Sequence, residues 1–342
     1  MKNKKYYILL IINLLISVYG FSQAETGIYR FLDFSSSARV TALGGMNVSL
    51  ADNDITMAFQ NPALLGEKTH NMLSLNYANF PAFMYGTASY GYNINSRNFL
   101  SAGVQYDDYG TFQGKNEYNQ DESTFTAKDI ALYLAYARKL SETMTVGTTF
   151  KPIFISAEQR TSFGLGFDVG MSYLHEDKDF SAGIAFKNIG AQLKGFYSDQ
   201  TGQFTEPLPF NILAGMSWKL RHAPLRFSFT LHDLQRWDLS YQIDTKNSTE
   251  KAKEINFADM AFRHTIFGVE FSPSNNFYVA LGYNHRRGAE LRAQNFKSLA
   301  GFSIGAGVKI SKFHAAFSIA QTQSGLNIYH FTLATSLEDF GL

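Results

Sequence analysis

The chain has 342 residues, a formal net charge of +1 and no cysteine. The balanced charge gives no ground for a nucleic-acid or polyanionic partner, and the missing cysteine excludes disulfides, thiolate chemistry and a lipoprotein anchor. Beside 31 Phe, 19 Tyr and 2 Trp stand 27 Gly, the mixture that strands with one apolar and one crowded face require.

Residues 1–22 read as a secretory signal. Lys2, Lys4 and Lys5 form its positive region, Tyr6 to Val18 its apolar run, and Gly20 and Ser22 the small residues before cleavage after Ser22. The run is too short to cross about 30 Å of hydrocarbon as a helix. An exported, cysteine-free, aromatic-rich chain is expected to be either a periplasmic β protein or an outer-membrane barrel.

Residues 23–70 are irregular yet apolar, as in "ALGGMNVSLADNDITMAFQNPALL" at 42–65. Gly44 and Gly45 suit a tight turn and a close backbone approach. Asp54 is expected to cap a short helix running through Phe59, which Asn61-Pro62 ends because the residue before proline avoids helical backbone. Ala58, Phe59, Ala63, Leu64 and Leu65 supply an apolar body, while Asp52 and Asn53 are placed to bond polar groups. The segment is therefore expected to fold inward as a plug of whatever the later strands enclose.

From residue 71 onward, apolar and small or polar residues alternate. In "GLGFDVGMSY", Leu165, Phe167, Val169, Met171 and Tyr173 face one way; Gly164, Gly166, Asp168, Gly170 and Ser172 face the other. "FNILAGMSW", with Phe210, Ile212, Ala214, Met216 and Trp218 on one side, repeats the pattern, as do "LRFSFTLH", "GFSIGAGVKI" and "FHAAFSIA". Strands are predicted at 71–79, 84–93, 97–107, 127–139, 142–156, 162–174, 179–191, 208–220, 223–235, 261–272, 276–285, 299–310, 313–323 and 326–337. Fourteen is an even number, as a closed antiparallel barrel without edges needs. The apolar rows then face lipid; the Gly, Ser, Asp and Asn rows face the lumen, where Asp168 is either solvated or paired with the inner segment.

Loop lengths sort by end. The connections after even-numbered strands are short ("INS", "LS", "HEDK", "RH", "SPS", "SK"), whereas "DYGTFQGKNEYNQDESTFTA", "AQLKGFYSDQTGQFTEPLP", "IDTKNSTEKAKEINFADM" and "NHRRGAELRAQNFKS" follow odd-numbered ones. Long extracellular loops and tight periplasmic turns are the outer-membrane pattern. The expected architecture is all-β: a 14-stranded antiparallel transmembrane β-barrel over 71–342, plugged by 23–70.

No catalytic constellation emerges, and no cofactor or metal is expected. His232-Asp233 could orient a base, and His314 and His330 lie on the last two strands, but no nucleophile motif accompanies them. "HEDKD" at 175–179 lacks the spaced ligands and central glycine of a calcium loop. The long loops offer more. Phe196, Tyr197 and Phe204 are aromatics where polar residues are expected, suited to anchoring a protein partner; Arg286, Arg287 and Arg292 suit acidic side chains or lipopolysaccharide phosphates.

"YRFLDFSSSARVTALGGMNVSLADNDITMAFQNPALL" followed by "MLSLNYANF" closely resembles the N-terminal region of PorQ proteins of the type IX secretion system, over about residues 28–80. The glycine turn and the "NPA" at 61–63 resemble the hatch of FadL-type barrels. The resemblance implies a fourteen-strand outer-membrane barrel in a cell-surface attachment complex with PorV, the PorU sortase and PorZ, the PorQ-like member holding PorZ at the surface. Two alternatives stay open: a FadL-like channel for hydrophobic small molecules, and a PorV-like carrier of secreted cargo.

Overall fold

The computed structural model describes residues 27–52, 54–80, 82–115, 118–158, 160–198, 202–240, 255–290, 299–323 and 326–341. The expected signal at 1–22, Asn53 and Arg292 lie outside the described residues.

The barrel strands are β1 (Met72–Asn79), β2 (Met84–Asn95), β3 (Asn98–Lys115), β4 (Asp121–Lys139), β5 (Met144–Ala157), β6 (Arg160–Leu174) and β7 (Phe180–Lys194). A small hairpin, β8 (Phe196–Ser198) and β9 (Gly202–Phe204), stands outside the wall. The wall continues with β10 (Asn211–Lys219), β11 (Leu225–Leu231), β12 (Thr265–Ser274), β13 (Phe277–Asn284), β14 (Phe302–Ile310), β15 (Phe313–Gln323) and β16 (Leu326–Ser336). Fourteen strands pair antiparallel in sequence order, and β1 closes on β16 through the register Met72↔Ser336 to Asn79↔Tyr329. Closure leaves the wall without an unpaired edge, so every ladder group inside the bilayer is satisfied.

The alternation read from the sequence is the alternation of environments. On β6, Phe167, Val169, Met171 and Tyr173 are exposed on the outer face, while Ser162, Asp168 and Ser172 are buried on the inner one. On β10, Leu213 and Ser217 are buried and Met216 and Trp218 exposed. Phe210 departs from its expected outward row: it precedes β10 and is buried, its carbonyl accepting a bond from Gln235 Nε2 at 2.7 Å.

The differences from expectation fall at the long-loop end. Much of 108–127, expected as loop, extends β3 and β4 into a projecting hairpin with Phe112 stacked on Phe125 at 5.3 Å. Its polar residues lack a lipid-facing row, so periodicity does not reveal the pairing. The strand expected from 261 begins at Thr265, because Phe257–Arg263 forms a helix capped by Asn256, whose side chain accepts from Asp259 N at 2.7 Å. A second short helix, His285–Glu290, occupies part of the loop after β13.

A charge placed on the lipid face is expected to be costly and one-sided. Val169→Arg, midway along β6, is expected to cost about 2–4 kcal/mol of folding free energy in a bilayer. Folding titrations into lipid vesicles measure it; an effect near zero would show that this row does not face lipid.

Candidate functional site

The described residues between 27 and 65 are mostly buried, and they touch the inner faces of strands around the wall. An irregular segment leaves its backbone groups without a ladder, and the lumenal side chains supply partners. Gln105 Nε2 donates to the Phe31 carbonyl at 2.7 Å, Thr87 Oγ1 to Ser36 at 3.1 Å, Ser303 Oγ to Ala42 at 3.0 Å and Ser181 Oγ to Ser49 at 2.6 Å. Thr332 Oγ1 accepts from the Ala38 amide at 2.9 Å, and Thr41 bonds the ring of His330.

Within the segment, a helix over Ala38–Ala42, which sequence reasoning missed, ends at Gly44 and Gly45. Their φ values of 100° and 104° lie in the left-handed region, and their amides return to Thr41 O at 3.0 Å and Val40 O at 2.9 Å. Asp54 caps the following turn by accepting from Thr56 N, but Ile55–Phe59 is a 3-10 turn rather than an α-helix. Asn61 works in three directions: its Oδ1 accepts from Ala63 N at 3.0 Å, and its Nδ2 donates to Val48 O at 2.9 Å and to Met171 O of the wall at 3.2 Å.

The glycines of the wall are the footprint of this segment. A Cβ on Gly170 would collide with Asn61, one on Gly147 with Pro62 and Ala63, one on Gly103 with Phe59, and one on Gly282 with Gly44. The lumenal rows are therefore small where the inner backbone comes closest. Beyond those recesses the contact turns apolar: Tyr29, Phe31, Leu32 and Phe59 pack on Ala131, Tyr133, Ile153 and Ile155, with Phe59 edge-on to Tyr133 at 4.6 Å.

Toward the short-turn end the contact is ionic. Arg39 forks onto Glu270 of β12, with Nε to Oε2 at 2.9 Å and Nη2 to Oε1 at 3.0 Å, and also reaches Asp52 at 2.6 Å and Asp54 at 3.3 Å. Arg226 of β11 bridges the same Asp52 at 2.7 Å and Glu270 at 3.2 Å. Two guanidinium groups and three carboxylates thus pin the segment to the wall, in a setting where removing one member strands the others. Asp168, for which pairing with the inner segment was one expectation, instead meets Lys151 of the neighbouring strand at 2.6 Å.

At the long-loop end, the β8–β9 hairpin faces Phe196 with Phe204 in register; Phe196 packs against the inner cluster, while Tyr197 is 63% and Phe204 61% exposed. Among the described loop arginines, one is paired and one is buried. Arg286 bonds Asp233 at 3.0 Å and Glu290 at 2.7 Å, and Arg287 turns inward toward Gly45, where burial lowers its pKa to about 10. Asp233 loses solvation by burial, yet the bond from His232 and the charges of Arg286 and Arg236 hold its carboxyl well below the usual range. His232 and Asp233 therefore belong to an ion network. His314 and His330 do not meet, since His314 pairs with Ala334 and His330 with Ser318. His175, Asp177 and Asp179 gather in the β6–β7 turn, but Arg221 takes both carboxylates, at 2.5 and 2.8 Å.

Arg39→Ala is expected to loosen the inner segment, since breaking a buried pair costs about 3–5 kcal/mol, while the wall stays closed. Faster proteolysis within 27–70, with the folded barrel's heat-modifiable migration retained, is the expected result. Unchanged protection would remove the ionic knot as the segment's anchor. Gly170→Val is expected to overpack the Asn61 recess and destabilise by about 1–3 kcal/mol, read as a lowered thermal midpoint in detergent.

Two solved structures share this architecture. CymD, titled a monoaromatic hydrocarbon channel, is 13% identical with a TM-score of 0.51, over 88% of this chain and 96% of that one. A deltaS2 mutant of TodX, titled likewise a monoaromatic hydrocarbon channel and known from Pseudomonas putida, is 11% identical with a TM-score of 0.54, over 89% and 97%. At these identities the likeness establishes the fold alone. Comparison with curated proteins finds no match. The family described as "Type IX secretion system membrane protein PorP/SprF" matches residues 82–332, most of the barrel wall. A closed fourteen-strand cylinder carrying that match belongs to the PorP/SprF family of type IX secretion membrane proteins and resides in the outer membrane.

Proposed function

We propose that this chain is a non-enzymatic docking platform of the type IX secretion system, closed through its bore by residues 27–70 and binding a partner at its long-loop end. The observation that carries this reading is the filled lumen. The best-formed cavities among the described residues hold about 10 Å³, beside Phe59, Tyr133 and Thr149, and about 20 Å³, beside Asp52, Lys219 and Arg226. Each has room for about one water, far below the 300–1,000 Å³ of a small-molecule site. With the bore closed, the loops are the surface left for specific work.

The long loops then face outward and the chain's tight turns face the periplasm. The resemblance of residues 28–80 to PorQ proteins supports a place in the cell-surface attachment complex, holding a PorZ-like partner near the PorU sortase and PorV, close to lipopolysaccharide. The contact surface is drawn from Tyr197 and Phe204, exposed aromatics on a hairpin that Phe196 roots in the inner cluster. Arg286 contributes by shaping this end, since its charge is engaged within the chain, and Arg287 by packing inward beside Gly45.

Tyr197→Ala with Phe204→Ala is expected to abolish co-purification of the attachment partner from outer membranes while the barrel folds normally. Partner retained by the double variant would remove the hairpin from the interface. A channel reading draws on the fold shared with hydrocarbon channels and requires residues 27–70 to move. Hydrophobic-probe uptake by Arg39→Ala vesicles above the wild-type level would favour it over docking.

A further inference from the structure

The Phe257–Arg263 helix at the head of β12 is amphipathic in the sense opposite to that of a water-facing helix. Its polar side turns inward: Arg263, buried, donates from Nε to Asp259 Oδ2 at 3.1 Å and from Nη1 to the Leu239 carbonyl at 3.3 Å. Asp259 Oδ1 in turn meets His285 Nε2 at 2.8 Å, and Met260 is buried beside them. Its outward side carries Phe257, 76% exposed, and Phe262, 50% exposed. Trp237, 52% exposed, lies across Phe257 with ring centroids 4.9 Å apart and planes 29° from parallel. The buried side holds Met260 and Arg263, while the displayed side carries large rings where a water-facing helix carries polar groups.

Two further observations say what covers that side. From Phe262 a series of ring contacts leads into the lipid-facing row: Phe262 to His285 at 5.7 Å, His285 to Tyr283 at 6.0 Å, and Tyr283 to the outward Phe302 of β14 at 4.6 Å. The wall beneath is also short. β11 has 7 residues and β13 has 8, against 18 and 19 in β3 and β4. Seven residues rising about 3.3 Å each and tilted about 40° climb roughly 18 Å, less than the ~25 Å apolar band of an outer-membrane barrel. Flanking strands this short leave part of that band to be covered by something other than ladder, and the helix, at the head of β12 between β11 and β13, is placed to contribute.

We infer that the Phe257–Arg263 helix, together with Trp237, is a lipid-facing element that completes the apolar belt at the long-loop end and rests at the headgroup–acyl boundary of the bilayer. Its occupant is lipid, and the aromatic pair serves as an interfacial anchor. This face is separate from the β8–β9 hairpin and holds whether or not the hairpin binds a partner.

The chain has 2 tryptophans, Trp218 and Trp237, so Trp218→Phe isolates the reporter. The full-length variant is reconstituted in phosphatidylcholine vesicles whose acyl chains are brominated close to the headgroup. Trp237 emission is expected to fall by at least half in those vesicles and to resist aqueous acrylamide. Emission untouched by bromolipid overturns the inference: with acrylamide quenching it shows a water-facing ring, and without acrylamide quenching a ring covered by protein. Should Trp218→Phe fail to insert, Trp218→Tyr, which keeps an amphipathic aromatic at that strand position, carries the same readout.

Discussion

Everything in this molecule follows from the need to fill a bore that its own wall cannot fill. Fourteen strands enclose more space than their inward side chains occupy when many of the lumenal positions are glycine, serine or threonine. Residues 27–70 take that space, and their backbone, lacking a ladder, is satisfied by the Ser, Thr and Gln side chains of the wall. Small lumenal residues and an irregular inner segment are thus two halves of one packing solution. Each covers what the other would leave open: an empty bore would expose recesses such as the one at Gly170, and a free segment would expose Phe31, Leu32 and Phe59.

The segment is held differently along its length. It begins near the long-loop end, where Ile28 N donates to Glu206 at 2.8 Å and apolar rings dominate. It descends to the short-turn end through the Arg39 knot. Apolar packing is insensitive to ionic conditions, whereas a knot of five charges depends on every member remaining in place.

The two kinds of outer residue divide similarly. Arg286, which looks available in a loop, is consumed in bonds within the chain, because a partly buried guanidinium must find acceptors. Aromatics remain displayed, on the β8–β9 hairpin and on the outward side of the Phe257–Arg263 helix. Exposed apolar anchors on a rigid barrel are what the docking role proposed above for this secretion-system membrane protein draws on.

Sequence alone determined the wall: period-two alternation marks each strand, since lipid and lumen impose opposite demands on neighbouring residues, and even strand number with sorted loop lengths determines closure. It also marked Gly44, Gly45 and Asn61-Pro62 as turn positions, because their backbone demands are local. Tertiary structure decided the rest. Which lumenal glycine receives which atom, that Arg39 meets Glu270 across 231 positions, and that Asp168 serves Lys151 rather than the inner segment depend on distances no pattern encodes. The projecting β3–β4 hairpin escaped notice for a different reason. Outside the bilayer the two faces of a strand no longer differ in solvent, so the periodic signal disappears while the structure continues.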